Sequence, residues 1–293
     1  MIQYEGTLYR PPSEADSLIL QATLGCSYNE CAFCAMYRDK RFRVRPLEEL
    51  EAEIEWARAE LSGRVQKVFL ADGDALVAKP KYLAGVLERL REAFPRLRRV
   101  SCYASPQSLQ VRSVEQMAEL REAGLTQYYL GIESGHDVVL ERLTKGVDAA
   151  EMIDAANKAT AAGVKLSTMI LLGAGGRELS EAHAVESARV VNAIQPRFVS
   201  TLVMTPVEGT PLFEADQRGE VDHLDPIELA AELRTFIAHL ELSSSIFRSN
   251  HASNYLTLAG TFPKDKAALL GALDGVLADP RRARFVPDWM RGL

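Results

Sequence analysis

The chain has 293 residues, 47% of them hydrophobic and 25% charged, with a formal net charge of −6. That composition is ordinary for a globular protein that buries a substantial core and does not indicate disorder. The acidic balance offers no footprint for a phosphate backbone, and no apolar run reaches the roughly 18 residues of a membrane span. The expectation is therefore a cytoplasmic protein with neither nucleic acid nor membrane as partner.

In chain order, residues 1–16 read as an N-terminal extension. The apolar run SLILQAT (17–23) is short and nearly continuous, as suits a strand buried on both faces. Three cysteines follow at once in LGCSYNECAFCAMY (24–37), and then the basic run YRDKRFRVR (37–45), a solvated surface or a face for an anionic ligand. Helical spacing over 46–61, 80–94, 114–124, 149–163 and 179–194 alternates with strand-like runs at 67–72, 99–105, 127–133, 165–173 and 197–204. Such alternation predicts right-handed crossovers and a parallel sheet. Six units fall short of the eight that close a barrel, so the fold class is α/β, an open sheet or a partial (β/α)6 TIM-type barrel. Past the Pro- and Gly-rich stretch 204–220 the rhythm changes to helices at 226–242 and 265–279 flanking a polar segment, IFRSNHASNYL (246–256). The expected organisation is an extension (1–16), a core (17–220) and a small helical appendage covering the barrel (221–293).

Four cysteines in a reducing compartment do not make a disulfide framework, and clustered ones point to a metal. Cys26, Cys31 and Cys34, spaced C-x4-C-x2-C, sit at the carboxyl end of the first strand, where active sites assemble in parallel α/β folds. The fourth, Cys102, lies on a strand of its own and reads as core. Three thiolates without a fourth protein ligand suit a [4Fe–4S] cluster with one open iron; a structural zinc, which normally closes with four protein ligands, is the alternative.

With its cysteines after the first strand and the last two enclosing an aromatic (C-A-F-C), the loop resembles that of the radical S-adenosylmethionine (radical SAM) superfamily. The core is similar to that of the Elongator catalytic subunit, coproporphyrinogen oxidase and the methylthiotransferases. The usual spacing in that superfamily is one residue shorter between the first two cysteines. Later segments carry the resemblance further. FLADGDAL (69–76) resembles the segment that meets the methionine ammonium; read alone, Asp-Gly-Asp after a strand is a turn with Gly supplying a positive φ. LGIESGHDVVLERLTKG (130–146) resembles the segment after the fourth strand, and STMILLGAGG (167–176) the adenine cradle, with Met169 where some relatives carry an acid.

By that resemblance Cys26, Cys31 and Cys34 hold the cluster, and Phe33, Asp72, Gly73, Asp74, Glu133, Ser134, Lys145 and Leu172 surround S-adenosylmethionine. Lys145 pairs with its carboxylate, and Glu133 binds its ribose or methionine end. The implied chemistry is reductive cleavage to a 5′-deoxyadenosyl radical under anaerobic conditions, with a flavodoxin- or ferredoxin-type electron donor. Without further cysteines or an appended RNA-binding module, the expected substrate is a small molecule. A nucleic-acid-modifying radical enzyme and a non-catalytic zinc or iron–sulfur protein are the alternatives. Arg248 and His251 are candidates to bind an acidic substrate group and Tyr255 to relay a hydrogen atom, with Tyr103, Thr205 and Pro206 as further lining residues.

Overall fold

The apolar runs become strands. A computed structural model describes residues 2–61 and 63–292. They divide into two compact units, one of Met1–Asn29, Met36–Leu130 and Asp154–Leu166, the other of Glu30–Ala35, Gly131–Ile153 and Ser167–Leu293.

In the first unit β1 (Leu18–Gln21), β2 (Lys67–Ala71), β3 (Arg99–Ala104) and the first six residues of β4 (Leu125–Glu133) lie side by side in parallel. In β2, Val68, Phe69, Leu70 and Ala71 are all fully buried, as a strand covered on both faces requires. Alternation sends Ile19, Phe69, Tyr103 and Tyr129 to one face, where the three aromatic rings meet edge-on, and Cys102 to the other, fully buried. The residues before β1 pack on the aromatic face. Leu8 joins its cluster, and Glu14, with no exposed surface, takes hydrogen bonds from the hydroxyls of Tyr129 and Ser101 and an ion pair from Arg99.

In the second unit β5 (Lys165–Leu172), β6 (Phe198–Val203) and β7 (Ile246–Ser249) are parallel, and β8 (Leu258–Thr261) returns antiparallel to β7. The register aligns Met169, Ser200 and Arg248 across three strands on one face. β7 and β8 depart from the sequence expectation. IFRS and LAGT are too short and too polar to stand out from a connector, and they form strands because β6 leaves an edge to pair with.

The helices α1 (Leu47–Leu61), α2 (Pro80–Ala93), α3 (Val114–Glu122), α4 (Ala149–Ala161), α5 (Gly176–Ile194), α6 (Pro226–His239) and α7 (Lys266–Ala278) follow the predicted segments closely. α2 and α6 start on proline, which lacks the donor a first helical residue would leave unused. Ser113 with Gln116 and Asp225 with Glu228 form reciprocal capping pairs at α3 and α6. The architecture is α/β, parallel strands alternating with helices. Among the described residues no helix is long and apolar enough to cross a membrane.

Candidate active site

In the first unit the chain leaves β1 through a loop carrying the half-buried Cys26. The acidic turn after β2 latches that loop in place. Backbone bonds of 3.0 Å run from Asp72 N to Thr23 O and from Gly73 N to Gly25 O. The Asp72 carboxylate accepts from Gly25 N at 3.1 Å, Lys40 Nζ at 3.0 Å and Gln21 Nε2 at 3.2 Å. Asp74 accepts from the hydroxyls of Ser27 at 2.5 Å and Ser105 at 2.7 Å, and from Ser105 N at 3.2 Å. Both carboxylates are fully buried. Burial raises the Asp74 pKa, and its hydroxyl and amide donors offset only part of that. Each aspartate thus grips a residue next to Cys26.

Gly73 is required by close approach, not by a positive φ: a Cβ there would stand 2.5 Å from the Tyr37 ring and 2.9 Å from Cys26 Cβ. Its backbone remains partly exposed. The residues after Cys26 turn through Asn29, whose φ of 51° is one that asparagine tolerates better than most side chains. Its amide donates to Tyr37 O at 3.0 Å.

In the second unit the loop of Cys31 and Cys34, both half-buried, is held by its backbone. Ala32 N–H donates to Leu143 O at 2.9 Å, Leu212 N–H to Ala32 O at 3.0 Å and Cys34 N–H to Cys31 O at 3.2 Å. Phe33 packs against the cluster of Val139, Leu143 and Leu171. At the end of β4, Glu133 adopts a φ of 67° and its carboxylate meets Lys145 Nζ at 2.9 Å, each side chain only 8% exposed. Gly131 makes room for the pair, because a Cβ there would lie 1.8 Å from Glu133 Oε1. Burial pulls the Lys145 pKa down, but Glu133 and the thiols of Cys31 and Cys34 outweigh it and the net shift is upward. The ammonium is therefore charged and lies within the electrostatic reach of the two cysteines. Ser134 is fully buried, its hydroxyl 2.8 Å from His183 Nδ1, and Leu172 is buried with its carbonyl accepting from Met204 N at 2.9 Å.

The candidates after β6 are spread more widely. Arg248 is exposed beside Ser200 and Met169, its guanidinium on Phe247 O at 2.7 Å. His251 is half-buried, Nδ1 2.9 Å from Ser253 Oγ, and burial lowers its pKa. Tyr255 donates its hydroxyl to Asp288 at 2.7 Å, with the Arg291 guanidinium 3.7 Å from its ring. In the first unit Tyr103 stands in the aromatic cluster.

Several residues around these groups carry no local signal in the sequence. Gln21 and Lys40 reach Asp72, Ser27 reaches Asp74, and Glu232 on α6 accepts from Gly173 N at 2.6 Å at the end of β5. Only the spacing of Ser180, His183 and Ser187 along α5 marks a polar helix face that could have been read in advance.

Each unit by itself carries groups that suit a thiolate-held cluster and a zwitterionic ligand. In one, a glycine backbone presses against Cys26; in the other, a buried cation paired with Glu133 lies within the electrostatic reach of Cys31 and Cys34. The family model described as the radical SAM superfamily matches residues 20–188. The chain is 28% identical over 203 residues to the biotin synthase of Geobacter sulfurreducens, covering 68% of this chain and 59% of that protein. It spans about half the length of the curated relatives it matches. Its fold is similar to that of methylornithine synthase, with a TM-score of 0.55 and 16% identity over 92% of this chain and 74% of the other. It is likewise similar to coproporphyrinogen III oxidase from Escherichia coli, with a TM-score of 0.58 and 18% identity over 76% and 51%. With that match across more than half its length, the chain belongs to the radical SAM superfamily, enzymes that use a [4Fe–4S] cluster and S-adenosylmethionine.

Proposed function

We propose that this enzyme cleaves S-adenosylmethionine reductively and uses the 5′-deoxyadenosyl radical to take a hydrogen atom from a small, anionic substrate. Cys26, Cys31 and Cys34 would hold the cluster, which when bound would supply the one electron taken up as a carbon–sulfur bond of S-adenosylmethionine breaks to give methionine and the radical. The chain's own residues bind and orient. Lys145, charged and held by Glu133, pairs with the methionine carboxylate, and that buried ion pair of 2.9 Å at the end of β4 is the observation that carries the reading. Because Asp72 and Asp74 are engaged with Gly25, Lys40, Ser27 and Ser105, the ammonium is received by the partly exposed backbone at Gly73. Phe33, Ser134 and Leu172 line the nucleoside side.

Arg248, exposed in a row with Ser200 and Met169, anchors the substrate anion, with His251 as its neighbour in the chain. Tyr255 relays a hydrogen atom only if its bond to Asp288 opens. A flavodoxin- or ferredoxin-type protein supplies the electron, and the anaerobic cytoplasm is the compartment in which this chemistry survives. Anaerobically reconstituted protein, given dithionite and S-adenosylmethionine, releases 5′-deoxyadenosine. A colourless, folded protein holding one zinc and releasing none overturns the reading.

A further inference from the structure

One face of α5 presents Ser180, His183 and Ser187, spaced three and then four residues apart so that they stack along the helix. Every one of them bonds to a segment outside α5. His183, with no exposed surface, places Nε2 3.0 Å from Leu171 O and Nδ1 2.8 Å from Ser134 Oγ. A carbonyl only accepts, so Nε2 carries the proton and Nδ1 is bare. The Ser134 hydroxyl must then donate to Nδ1, while its oxygen accepts from His136 N–H at 3.0 Å. Ser187 Oγ accepts from Gly135 N–H at 2.9 Å. Ser180 donates to Glu232 at 2.6 Å, and the other oxygen of that carboxylate accepts from Gly173 N–H at 2.6 Å.

The chain of donors has one direction throughout, from His136 N–H through Ser134 and His183 to Leu171 O. It joins the turn after β4 to the end of β5. A Cβ on Gly135 would stand 2.1 Å from Glu186 O, so that turn also rests directly on the α5 backbone. Burial holds the imidazole neutral, its pKa lowered to about 4, in keeping with a group that needs one bare and one protonated nitrogen.

We propose that His183 is a positioning residue for S-adenosylmethionine, fixing the spacing between the turn at Ser134–Gly135 and the end of β5 through one hydrogen bond to each. The proposal rests on the reading of those two segments as the nucleoside cradle. An apolar ring of similar size would keep the core filled but bond to neither segment, whereas glutamine can donate to Leu171 O and accept from Ser134.

The test compares wild type with His183→Phe, His183→Gln, Ser134→Ala and His183→Phe/Ser134→Ala. Reconstituted proteins are assayed for iron content, for S-adenosylmethionine affinity by equilibrium dialysis, and for release of 5′-deoxyadenosine, with KM and kcat resolved separately. Cluster-free proteins are followed by hydrogen exchange of peptides covering 134–136 and 171–174. His183→Phe is expected to keep its iron, to lose about tenfold in affinity, the scale of one buried hydrogen bond with its partner left unsatisfied, and to show the loss in KM more than in kcat. Both peptides exchange faster, His183→Gln recovers most of the affinity, and the double variant binds no worse than His183→Phe.

An affinity unchanged in His183→Phe, or exchange that rises in α5 alone, overturns the inference while leaving the function intact. If His183→Phe does not fold, Ser134→Ala carries the test: unchanged affinity and unchanged exchange at 171–174 overturn it. A wild type that holds a cluster but does not bind S-adenosylmethionine overturns the proposed function itself.

Discussion

Lys145→Met separates what the Glu133–Lys145 pair does for folding from what it does for binding. The two side chains are each 8% exposed and 2.9 Å apart. Methionine fills most of the lysine volume, so the loss is chiefly electrostatic: a buried carboxylate is left without its partner. Breaking such a pair costs about 3–5 kcal/mol, while replacing both members with neutral groups is close to neutral. Urea unfolding of the cluster-free protein should show Lys145→Met less stable than wild type by about that amount, and Glu133→Gln/Lys145→Met recovering most of it. Equilibrium dialysis on the reconstituted proteins should show both variants failing to bind S-adenosylmethionine, because stability returns without the cation. A single variant within about 1 kcal/mol of wild type, or a double variant that binds normally, refutes the reasoning.

Three further outcomes follow from the geometry. Gly73→Ala drives a methyl group into the Tyr37 ring and Cys26 Cβ and should lower iron content after reconstitution; full iron occupancy would show that the close approach relaxes freely. Asp74→Ala strands the donors on Ser27 and Ser105 and should cost about 2–4 kcal/mol on denaturant unfolding, together with part of the iron; a change under about 1 kcal/mol contradicts the latch. Burial raises the Glu232 carboxyl from 4.5 to about 7. Folded protein therefore holds a proton that the unfolded chain gives up, and this contribution is complete below pH 4.5 and lost as pH rises through 7. The stability of Glu232→Gln relative to wild type should accordingly grow by about 3 kcal/mol across that range, at about 1.36 kcal/mol per pKa unit, and a constant difference would contradict it.

Most of the architecture was legible because it is written in local periodicity. Six continuous apolar runs became β1 to β6, and the helical segments became α1 to α7 nearly residue for residue. β7 and β8 were not, since a short strand bearing Arg248 owes its existence to an edge supplied by β6. Glu14 shows the same limit: it lies in the expected N-terminal extension, among prolines and acids, yet it is buried under Arg99, Ser101 and Tyr129, whose donors come from about 85 to 115 residues away. At the candidate site, the family resemblance pointed to the cysteines, the acidic turn, Glu133 and Lys145. It did not show that Asp72 and Asp74 spend their carboxylates on Gly25, Lys40, Ser27 and Ser105, because those partners lie about 31 to 47 residues distant in the chain and only the fold brings them together.

The most direct measurement is iron, sulfide and 5′-deoxyadenosine determined side by side on anaerobically reconstituted wild type, Cys31→Ala and Cys102→Ala. Wild type should hold about four iron and four sulfide per chain and release 5′-deoxyadenosine on reduction. Cys102→Ala should keep both, its side chain being fully buried in β3, and Cys31→Ala should lose both. Loss of the cluster in Cys102→Ala, or a wild type that carries zinc and releases no 5′-deoxyadenosine, would contradict the cluster assignment.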